Sequence, residues 1–336
     1  MSTSPAVVVC GTVNVDTFVG VRQFPTAGET VIAEPLGSPG LGGKGANQAV
    51  AAARFLADGP AGVLLLATVG EDAPGDGALA ALRDAGVDVT GVARTDEAPT
   101  GSAFIMNDGA GENIIVVTSG ANTVTDPAAS LGHPGTDGAR VLLAQGELTP
   151  EHSAALPRLA DGLGARLVLN LAPVTTRDPA LLAAADPLVV NESEAADALG
   201  LPRDIGLDEV LDALATAVVE RRLARSAVVT LGAHGALVIG GDGDGGGGGD
   251  GGDGGDSGDS SSRTTVPSPV PAQVVDTTGA GDAFCGTLAA ALAQGKDLRD
   301  AARLAVAAGS LAVESQGAAA SYAPGRAVRA LAAEQG

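Results

Sequence analysis

Aromatic and basic residues are both scarce in this chain of 336 residues. There is no tryptophan, one tyrosine and five phenylalanines, so the core must be built mainly from alanine, valine and leucine. That composition suits helices packed on buried parallel strands. Lysine and arginine number 19 against 40 acidic residues, which leaves a net charge of −21. A surface so short of positive charge argues against a nucleic-acid partner, because phosphate backbones bind to basic patches.

Cysteines and long apolar runs are few as well. Cys10 and Cys285 form neither a metal-type spacing nor a redox pair, and both lie in apolar runs, so we predict two buried free thiols. Free thiols are usual in a reducing compartment, and we expect a cytoplasmic protein. No run approaches the ~18 apolar residues of a membrane span, and the first residues lack a signal-peptide pattern, so no membrane partner is expected.

Short apolar runs alternate with helical patterns along most of the chain. Strands are predicted at Ala6–Cys10, Val63–Thr68, Arg140–Ala144, Leu167–Asn170, Pro187–Val190, Ala227–Leu231, Ala236–Ile239 and from Val266 onward. Helices are predicted at Ala46–Leu56, Ala78–Asp84, Glu151–Leu163, Ala180–Ala185, Glu192–Leu199, Leu207–Arg222 and Ala283–Ala293. The alternation predicts an α/β fold in a single domain over 1–336, a Rossmann-like three-layer αβα sandwich with a mostly parallel central sheet. Ligands would then bind at the carboxyl ends of the strands.

Two regions, about 17–38 and 98–119, have β-type composition without an intervening helix. Ser102–Met106 and Asn113–Thr118 flank a glycine-rich turn, which is typical of a hairpin. We predict that both regions form a small β lid over the main sheet, with one face on the ligand. The other face would be solvated or paired with a second subunit.

The segment 240–262 is almost entirely glycine, aspartate and serine. It has no apolar surface to bury and its like charges repel, so we predict a disordered loop insertion between two strands. A calcium site is a poor alternative, because the regular ligand spacing and the anchoring glutamate are missing.

The stretch from Asp276 to Asp282 (DTTGAGD) precedes an apolar helical run. Unpaired N–H groups of Gly279, Ala280, Gly281 and Asp282 at a helix start, with the positive pole of the helix dipole, predict an anion site. A carboxylate at the mouth of such a site would repel a bound phosphate. It is well placed, however, to take the proton of a hydroxyl that attacks phosphate. The alternative is that Asp282 is only a helix N-terminal acid, worth up to about 1 kcal/mol.

A second glycine-rich stretch, GGKGANQ at 42–48, opens another helix. Its glycines allow a close approach of backbone to ligand, and Lys44 and Asn47 can reach into the same space. A simple helix cap is the alternative, and the spacing is not that of a Walker A loop. Asn14 and Asp16 follow the first strand two residues apart, so their side chains share one face. That pair suits an alcohol-rich ligand, unless it only forms an Asx turn.

These motifs occur together in an order that resembles the ribokinase-like family of sugar and nucleoside kinases. The matching segments are GTVNVD at 11–16, FPTAGET at 24–30, GGKGANQAVAAAR at 42–54, GEN at 111–113, GAN at 120–122, NLAP at 170–173, NESE at 191–194, TLG at 230–232 and DTTGAGD at 276–282. The segment at 276–282 is specific for the whole family, whereas those at 24–30 and 42–54 point to its ribose-phosphorylating members. The resemblance implies ATP-dependent phosphorylation of D-ribose at the 5-hydroxyl, giving D-ribose 5-phosphate and ADP.

The resemblance also implies roles for individual residues. Asp282 would be the general base, with an anion hole from the N–H groups of Gly279, Ala280, Gly281 and Asp282. The implied sugar site consists of Asn14, Asp16, Gly43, Lys44, Gly45, Ala46, Asn47, Glu147 and Asp282, with Ala103, Ile105 and Val117 as an apolar cover. The implied ATP site consists of Asn191, Thr230, Leu231, Gly232, Ala233, His234, Gly235, Gly281 and Asp282. Val306 stands where the family often has an asparagine near the adenine, which leaves the base contacts open.

Two cations are implied in the same way. Mg²⁺ would accompany ATP near Asn191 and Glu194, through water, because magnesium dehydrates reluctantly. A monovalent cation, K⁺, would lie beside the anion hole, with ligands from Asp276, Thr278, Ala312, Ser315, Gly317 and Ser321. In the sequence, Asp276 otherwise has no evident partner.

Two rival functions stay open at this point. One is phosphorylation of another pentose, a hexose or a nucleoside by the same chemistry. The other is a catalytically inactive sugar-binding regulator, against which the retention of Asp282 beside its glycine-rich helix start argues. We also expect a homodimer formed through the β lid, with ATP and D-ribose as the small-molecule partners.

Overall fold

A computed structural model describes residues 5–110, 112–202, 204–240 and 263–335. The predicted loop insertion at 240–262 lies outside the described residues apart from Gly240, so its prediction stays untested. Cys10 and Cys285 are buried free thiols, as predicted. Burial raises the pKa of Cys10 to about 12 and also raises the pKa of Cys285, so neither is a ready thiolate.

The strands form two sheets. In chain order they are β1 (Pro5–Cys10), β2 (Asn14–Gly20), β3 (Glu34–Pro35), β4 (Gly40–Gly42), β5 (Gly62–Gly70), β6 (Val92–Thr95), β7 (Gly101–Asn107), β8 (Asn113–Thr118), β9 (Val141–Gln145), β10 (Arg166–Asn170), β11 (Ala185–Asn191), β12 (Ala227–Thr230), β13 (Ala236–Ile239) and β14 (Arg263–Val266). The larger sheet has the order β14-β13-β12-β11-β10-β9-β1-β5-β6. Its strands pair in parallel from β6 to β12, and β13 and β14 join as an antiparallel edge.

Helices cover both faces of this sheet. They are α1 (Lys44–Leu56), α2 (Ala73–Asp84), α3 (Pro150–Ser153), α4 (Leu156–Leu163), α5 (Pro179–Ala184), α6 (Glu192–Leu199), α7 (Leu207–Val219), α8 (Ala280–Ala293), α9 (Leu298–Ala312) and α10 (Gly325–Ala333). One apolar core joins the sheet to α1, α2, α8, α9 and α10, and a second joins it to α4, α5, α6 and α7. The predicted three-layer αβα fold is therefore confirmed.

Alternation along the central strands explains the two cores. On β1, Val7 and Val9 belong to the core on one face, and Val8 and Cys10 belong to the core on the other. All four side chains are fully buried. Successive residues of a strand point to opposite faces, so a strand covered on both sides has to be continuously apolar.

The smaller sheet is the predicted lid, with the order β3-β2-β7-β8 and β4 paired to β2. Strands β2 and β7 pair in parallel over their whole length, from Asn14 beside Gly101 to Gly20 beside Asn107. The predicted hairpin of β7 and β8 is confirmed. The lid is larger than expected, because its strands begin at Asn14 and include Gly40–Gly42. Asn14 and Asp16 thus lie on a lid strand and not at the end of β1.

Two other boundaries were wrong. The predicted helix at Glu151–Leu163 is interrupted between α3 and α4, because Pro157 has no N–H to donate to the carbonyl of Ser153 and instead occupies the first turn of α4. The predicted strand from Val266 onward instead ends at Val266, where Pro267 cannot continue the ladder.

Among the described residues, no helix combines the length and the apolar character that crossing a bilayer requires.

Candidate active site

Polar side chains meet where the parallel strands end. Gln145 is the last residue of β9 and Asn170 the last of β10, and the two lie side by side in the ladder. The first turns of α1 and α8 lie over these strand ends, carrying Gln48 and Asp282. The site is therefore built at the carboxyl edge of the sheet, as expected for parallel α/β proteins.

Helix α8 begins with a left-handed glycine. Gly279 has φ 76°, and a Cβ there would approach the Tyr322 hydroxyl to 2.7 Å, so a larger residue would be strained as well as crowded. The N–H of Ala280 was wrongly predicted to be an unpaired donor of the anion hole, because it donates to Thr277 O at 3.3 Å in the turn that precedes the helix. The N–H groups of Gly281 and Asp282 follow in the first turn, where an α-helix offers no carbonyl partner.

Asp282 is held by two amides of α1. Its side chain is 7% exposed. Gln48 Nε2 donates to Asp282 Oδ1 at 2.9 Å, and Asn47 Nδ2 donates to Asp282 Oδ2 at 3.1 Å. Neutral donors hold the carboxylate in place without supplying a full positive charge.

Two acceptors in the same space have no donors. Asp16 Oδ1 and Asn47 Oδ1 are both buried without a hydrogen-bond partner in the described part of the chain. Asp16 leans over Gly42, where any Cβ would collide with its carboxylate. Burial, followed by the charges of Glu147 and Asp282, raises the pKa of Asp16 to about 6. Buried acceptors without partners are uncommon in proteins, so these two indicate a ligand that brings hydroxyl donors.

Glu147 closes the opposite side of this space. Glu147 Oε2 accepts hydrogen bonds from Thr12 Oγ1 and, at 3.0 Å, from the backbone N–H of Lys44. Asn14 is fixed in a similar way, because its Oδ1 accepts from Asn122 Nδ2 at 2.8 Å while Asn122 Oδ1 accepts from Val13 N.

Lys44 is the cation among these acids. Asp282 raises the pKa of Lys44, burial lowers it, and Glu147 and Glu194 raise it further, with a net result above its ordinary value. The ammonium group therefore stays charged at neutral pH, and its charge interacts with those of Asp282, Glu147 and Glu194.

A cavity of about 400 Å³ opens beside the start of α8. Its lining is mostly small or apolar and consists of Thr230, Gly232, Ala233, Gly235, Ser268, Pro271, Val274, Thr277, Ala280, Gly281, Phe284, Val306, Gly309, Ser310 and Val313. A slot of this size and polarity, ending at a helix N-terminus, suits a flat heterocycle with a phosphate chain.

Residues 4–324 match the pfkB family of carbohydrate kinases. The chain belongs to this family. The protein is accordingly a phosphotransferase that uses ATP and acts on an alcohol group of a sugar, and ATP use by such kinases in general requires Mg²⁺.

Individual relatives agree with the family match. The kinase is 31% identical over 317 residues to a ribokinase of Schizosaccharomyces pombe, and the alignment covers 94% of each chain. Its fold is similar to an Arabidopsis thaliana ribokinase solved with ribose and ATP, with a TM-score of 0.81, 28% identity and coverage of 98% and 99% of the two chains. A Giardia lamblia ribokinase structure gives a TM-score of 0.83 at 26% identity, over 99% and 100% of the chains.

The kinase brings most of the predicted sugar-site residues together. Around the unpartnered acceptors lie Asn14, Asp16, Gly43, Lys44, Asn47, Glu147 and Asp282, with Gly45 and Ala46 in the first turn of α1. Of the predicted apolar cover, Ala103 and Ile105 are buried. Val117 lies directly opposite Ala103 in the lid ladder, but it is 58% exposed.

The predicted ATP residues are only partly in the cavity lining. Thr230, Gly232, Ala233, Gly235 and Gly281 line it, whereas Leu231, His234 and Asn191 do not. Asn191 and Glu194 form a capping box at the start of α6, in which Glu194 Oε2 accepts from Asn191 N and Asn191 Oδ1 accepts from Glu194 N. The cap therefore uses Asn191 Oδ1 and leaves Glu194 Oε1 as the oxygen for a cation.

Asp276 has partners, contrary to the expectation from the sequence. Its Oδ1 accepts from Thr278 N and its Oδ2 from Gly317 N, each at 2.9 Å. Burial acts to raise the pKa of Asp276, but the bonds from Thr278 and Gly317 prevail and lower it. Asp276 thus ties the loop before α8 to the loop after α9, where the predicted cation ligands Ser315 and Ser321 lie, while the predicted ligand Ala312 is the last residue of α9.

Several residues of the site were missed from the sequence. Gln48, Gln145 and Asn170 form a buried amide network behind Asp282, and Thr12 and Asn122 fix the sugar-side residues. A signal was present, because Gln145 and Asn170 are polar residues that end otherwise apolar strands at the ligand edge of the sheet.

Proposed function

We propose that this kinase transfers the γ-phosphoryl group of ATP to the 5-hydroxyl of D-ribose. The observation that carries the proposal is the pair of buried acceptors without donors, Asp16 Oδ1 and Asn47 Oδ1, in the same space as the Asp282 carboxylate. Relatives named ribokinase at about 30% identity, one with a solved structure containing ribose and ATP, support the choice of sugar.

A pentose supplies what the sugar side lacks. Its hydroxyls donate to Asp16 and Asn47 and accept from Lys44, while the lid residues Ala103 and Ile105 cover its apolar face. Each hydrogen bond to a charged group contributes about 1.5–3 kcal/mol, so a sugar without a matching hydroxyl is rejected.

Asp282 accepts the proton of the 5-hydroxyl as its oxygen attacks the γ-phosphorus of ATP. The N–H groups of Gly281 and Asp282, at the positive pole of α8, stabilise the charge that spreads over the transferring phosphoryl oxygens. Lys44, between the sugar and the nucleotide sides, balances the charge on both. A positioned base contributes about 10²–10⁴-fold to the rate.

ATP occupies the cavity beside α8 with its base between apolar walls. Val306, Val274 and Ala233 line this cavity and would provide packing surface for adenine. Thr230 and Gly281 lie toward the phosphate end. Among the described residues that line this cavity there is no side-chain amide or charged group, so packing and the triphosphate supply most of the affinity.

The residues present fit a magnesium ion that is held mainly by the nucleotide. No cluster of three or more His, Cys, Asp or Glu side chains able to bind a metal occurs in the described ranges. Glu194 Oε1 would hold a hydrated Mg²⁺ from the protein side, through water. When bound, the ion neutralises charge on the phosphate oxygens.

A monovalent cation fits the loop pair that Asp276 joins. The carboxylate already binds the N–H groups of Thr278 and Gly317, and those bonds keep it ionised by lowering its pKa against the opposing effect of burial. A bound K⁺, with further oxygens from Ala312, Ser315 and Ser321, would hold the loop that positions Gly279. Its effect should therefore fall on kcat more than on sugar binding.

A substrate panel tests the proposal. ADP release is measured with D-ribose, 2-deoxy-D-ribose, D-fructose and adenosine, each with and without K⁺. We expect D-ribose to have a kcat/KM at least about tenfold above the others, and K⁺ to raise kcat with little change in the ribose KM. A different sugar or nucleoside ranking first would overturn the specificity, and no ADP release with ribose-binding intact would indicate a regulator instead of an enzyme.

We also propose a homodimer formed through the lid. Strand β8 is an edge strand whose apolar residues are exposed on both faces: Ile114, Ile115, Val116 and Val117 are 41–58% exposed. Phe104 on the neighbouring β7 is 49% exposed. Edge strands of this kind are normally protected by charge or by a partner, and none of these residues is charged.

The dimer is tested by light scattering on size-exclusion chromatography. The wild-type protein should elute with twice the chain mass, and Val116→Lys, which places a charge in the middle of the edge strand, should elute as a monomer. Leu207→Lys, an exposed apolar residue at the start of α7, is the matched control and should remain a dimer. A monomeric wild type, or a dimeric Val116→Lys variant, would contradict the proposal.

A further inference from the structure

Three amide side chains lie buried behind the Asp282 carboxylate, on the side away from the sugar ligands. Gln48 on α1 is 0% exposed, Gln145 at the end of β9 is 1% exposed, and Asn170 at the end of β10 is 7% exposed. They come from three separate parts of the chain and form a continuous network with Asp282.

The hydrogen bonds of the network are donated from Gln145 to Gln48, and from Gln48 to both Asn170 and Asp282. Gln48 Nε2 donates to Asp282 Oδ1 and to Asn170 Oδ1, each at 2.9 Å, so both of its N–H groups are used. Gln48 Oε1 accepts from Gln145 Nε2, also at 2.9 Å. Because an ionised carboxylate only accepts, Gln48 must turn its NH₂ group toward Asp282.

The alternative orientation of Gln48 is excluded by its neighbours. A flipped amide would set its oxygen against the oxygens of Asp282 and Asn170 and its NH₂ group against that of Gln145. Three favourable contacts would become three repulsive ones. The Asp282 carboxylate and Asn170, whose Nδ2 donates to Val189 O at 3.3 Å, therefore determine which way Gln48 points, and Gln145 Nε2 supports this orientation as a donor to Gln48 Oε1.

Close packing of α1 on α8 brings Gln48 to Asp282. Gly286 lies one turn after Asp282 on α8, and a Cβ there would collide with the backbone of α1 at Gln48 and with Ala51. Gly11 likewise leaves room for the side chain of Gln145, because a Cβ on Gly11 would collide with Gln145 Oε1. Two glycines thus provide the space in which the amides and the carboxylate meet.

We propose that Gln48, oriented by Gln145 and Asn170, is a positioning residue that fixes the Asp282 carboxylate for proton transfer from the sugar hydroxyl. The proposal rests on the proposed function, in which Asp282 is the general base. Asn47 also contacts the carboxylate, but it lies in the sugar site, where its Oδ1 has no partner in the described part of the chain and is left for the ligand. Gln48 is fully buried and keeps its bond throughout the reaction.

A neutral amide is the appropriate group for this task. An arginine or lysine in direct contact would lower the pKa of a neighbouring carboxyl by about 1–3 units and so weaken a base. An apolar side chain would leave the carboxylate oxygen free to rotate away from the hydroxyl. An amide whose direction is determined by two further amides fixes the geometry at a smaller cost in basicity.

The test starts with Gln48→Met, which keeps the length of the side chain and removes both donors. We expect kcat to fall by about 10²-fold while the KM values for sugar and ATP stay within about threefold, because the defect is one of geometry at the reacting atoms. Gln145→Met should lower kcat by about tenfold, since Gln48 then loses the donor that orients it. The double variant should be no slower than Gln48→Met alone.

A matched control removes a comparable bond far from the site. Ser226, at the start of β12, donates to Asp186 Oδ1 at 2.6 Å and is 4% exposed. Ser226→Ala also loses a hydrogen bond to an aspartate, but its kcat should equal that of the wild type. If Gln48→Met does not fold, Gln145→Met and the control carry the comparison.

The background variant Asp282→Asn separates the two proposals. If Gln48 acts through Asp282, adding Gln48→Met to Asp282→Asn should not lower the residual kcat further. An equal loss of kcat in both backgrounds, a loss confined to KM, or an unchanged kcat in Gln48→Met would overturn the positioning role and leave Asp282 as base. Normal turnover in Asp282→Asn by itself would overturn the base assignment instead.

Discussion

Replacing Asp282 with asparagine should lower kcat by at least about 10²-fold, with ribose affinity nearly unchanged. The asparagine side chain still fills the space between Asn47 and Gln48, but it cannot accept a proton. Steady-state kinetics give kcat, and calorimetry with D-ribose in the absence of ATP gives the affinity. The two measurements separate loss of chemistry from loss of the site.

Asp300 offers a matched control for this prediction. It is an acid in the first turn of α9, as Asp282 is in the first turn of α8, but its side chain is 48% exposed and it lies away from the site. Asp300→Asn removes the same favourable interaction with a helix dipole, worth up to about 1 kcal/mol, and should leave kcat unchanged. Equal kinetics for the two variants would mean that Asp282 is a helix N-terminal acid and nothing more.

Replacing Asp16 with asparagine should weaken ribose binding and stabilise the ligand-free protein. The KM for ribose should rise by about 10–100-fold, because hydrogen bonds from sugar hydroxyls to a carboxylate are lost. The melting temperature at pH 7 should rise by about 1–3 °C, because the buried charge is removed. Differential scanning fluorimetry without sugar measures the second effect.

The pH dependence of the wild type follows from the same group. Burial and the charges of Glu147 and Asp282 raise the pKa of Asp16 from 3.8 in the unfolded chain to about 6 in the fold. Between these two values the folded protein binds the proton more tightly, so the contribution of Asp16 to stability falls as pH rises through the window. The ribose KM should rise below pH 6, where Asp16 becomes protonated.

Asp72 provides the opposite case. It caps α2, and although burial acts to raise its pKa, hydrogen bonds from Thr100 and Gly75 lower it. Asp72→Asn should therefore lower the melting temperature at pH 7 where Asp16→Asn raises it. A decrease for Asp16→Asn, or an unchanged ribose KM in that variant, would contradict the role proposed for Asp16.

Local patterns predicted most elements of the main sheet, because strands buried on both faces have to be short, continuous and apolar. The prediction of element boundaries failed where a single proline interrupts a pattern that otherwise continues. Pro157 divides one apparent helix into α3 and α4, and Pro267 ends β14 at the residue where a strand was expected to begin. Strand β6 was missed because it has only four residues and lies at a sheet edge, where its side chains are only partly buried. So short a segment shows no clear alternation of polar and apolar residues.

In the site as well, local features were visible in the sequence, whereas contacts between distant parts of the chain were not. The glycine-rich helix starts at Gly279–Asp282 and before α1 were found from the sequence, since glycine spacing and a nearby acid are local features, and ligand binding at both remains a prediction. Asp276 was misjudged because both its donors are backbone N–H groups, which the side-chain sequence does not display. The exposure of Val117 was likewise not apparent from the sequence. Alternation along a lid strand indicates which residues lie on the same face of the sheet, but it does not indicate whether another part of the protein covers that face.

The sequence by itself determined the layered α/β fold, the glycine-rich start of α8 and the carboxylate beside it. Each of these depends on residues that are neighbours in the chain or that repeat with the period of a helix or strand. Only the tertiary structure decided which donors hold that carboxylate. Gln48 and Asp282 are 234 residues apart, and they meet because glycines let α1 and α8 pack closely over the ends of two strands. Contacts of this kind depend on the shapes of packed elements, which no local pattern encodes.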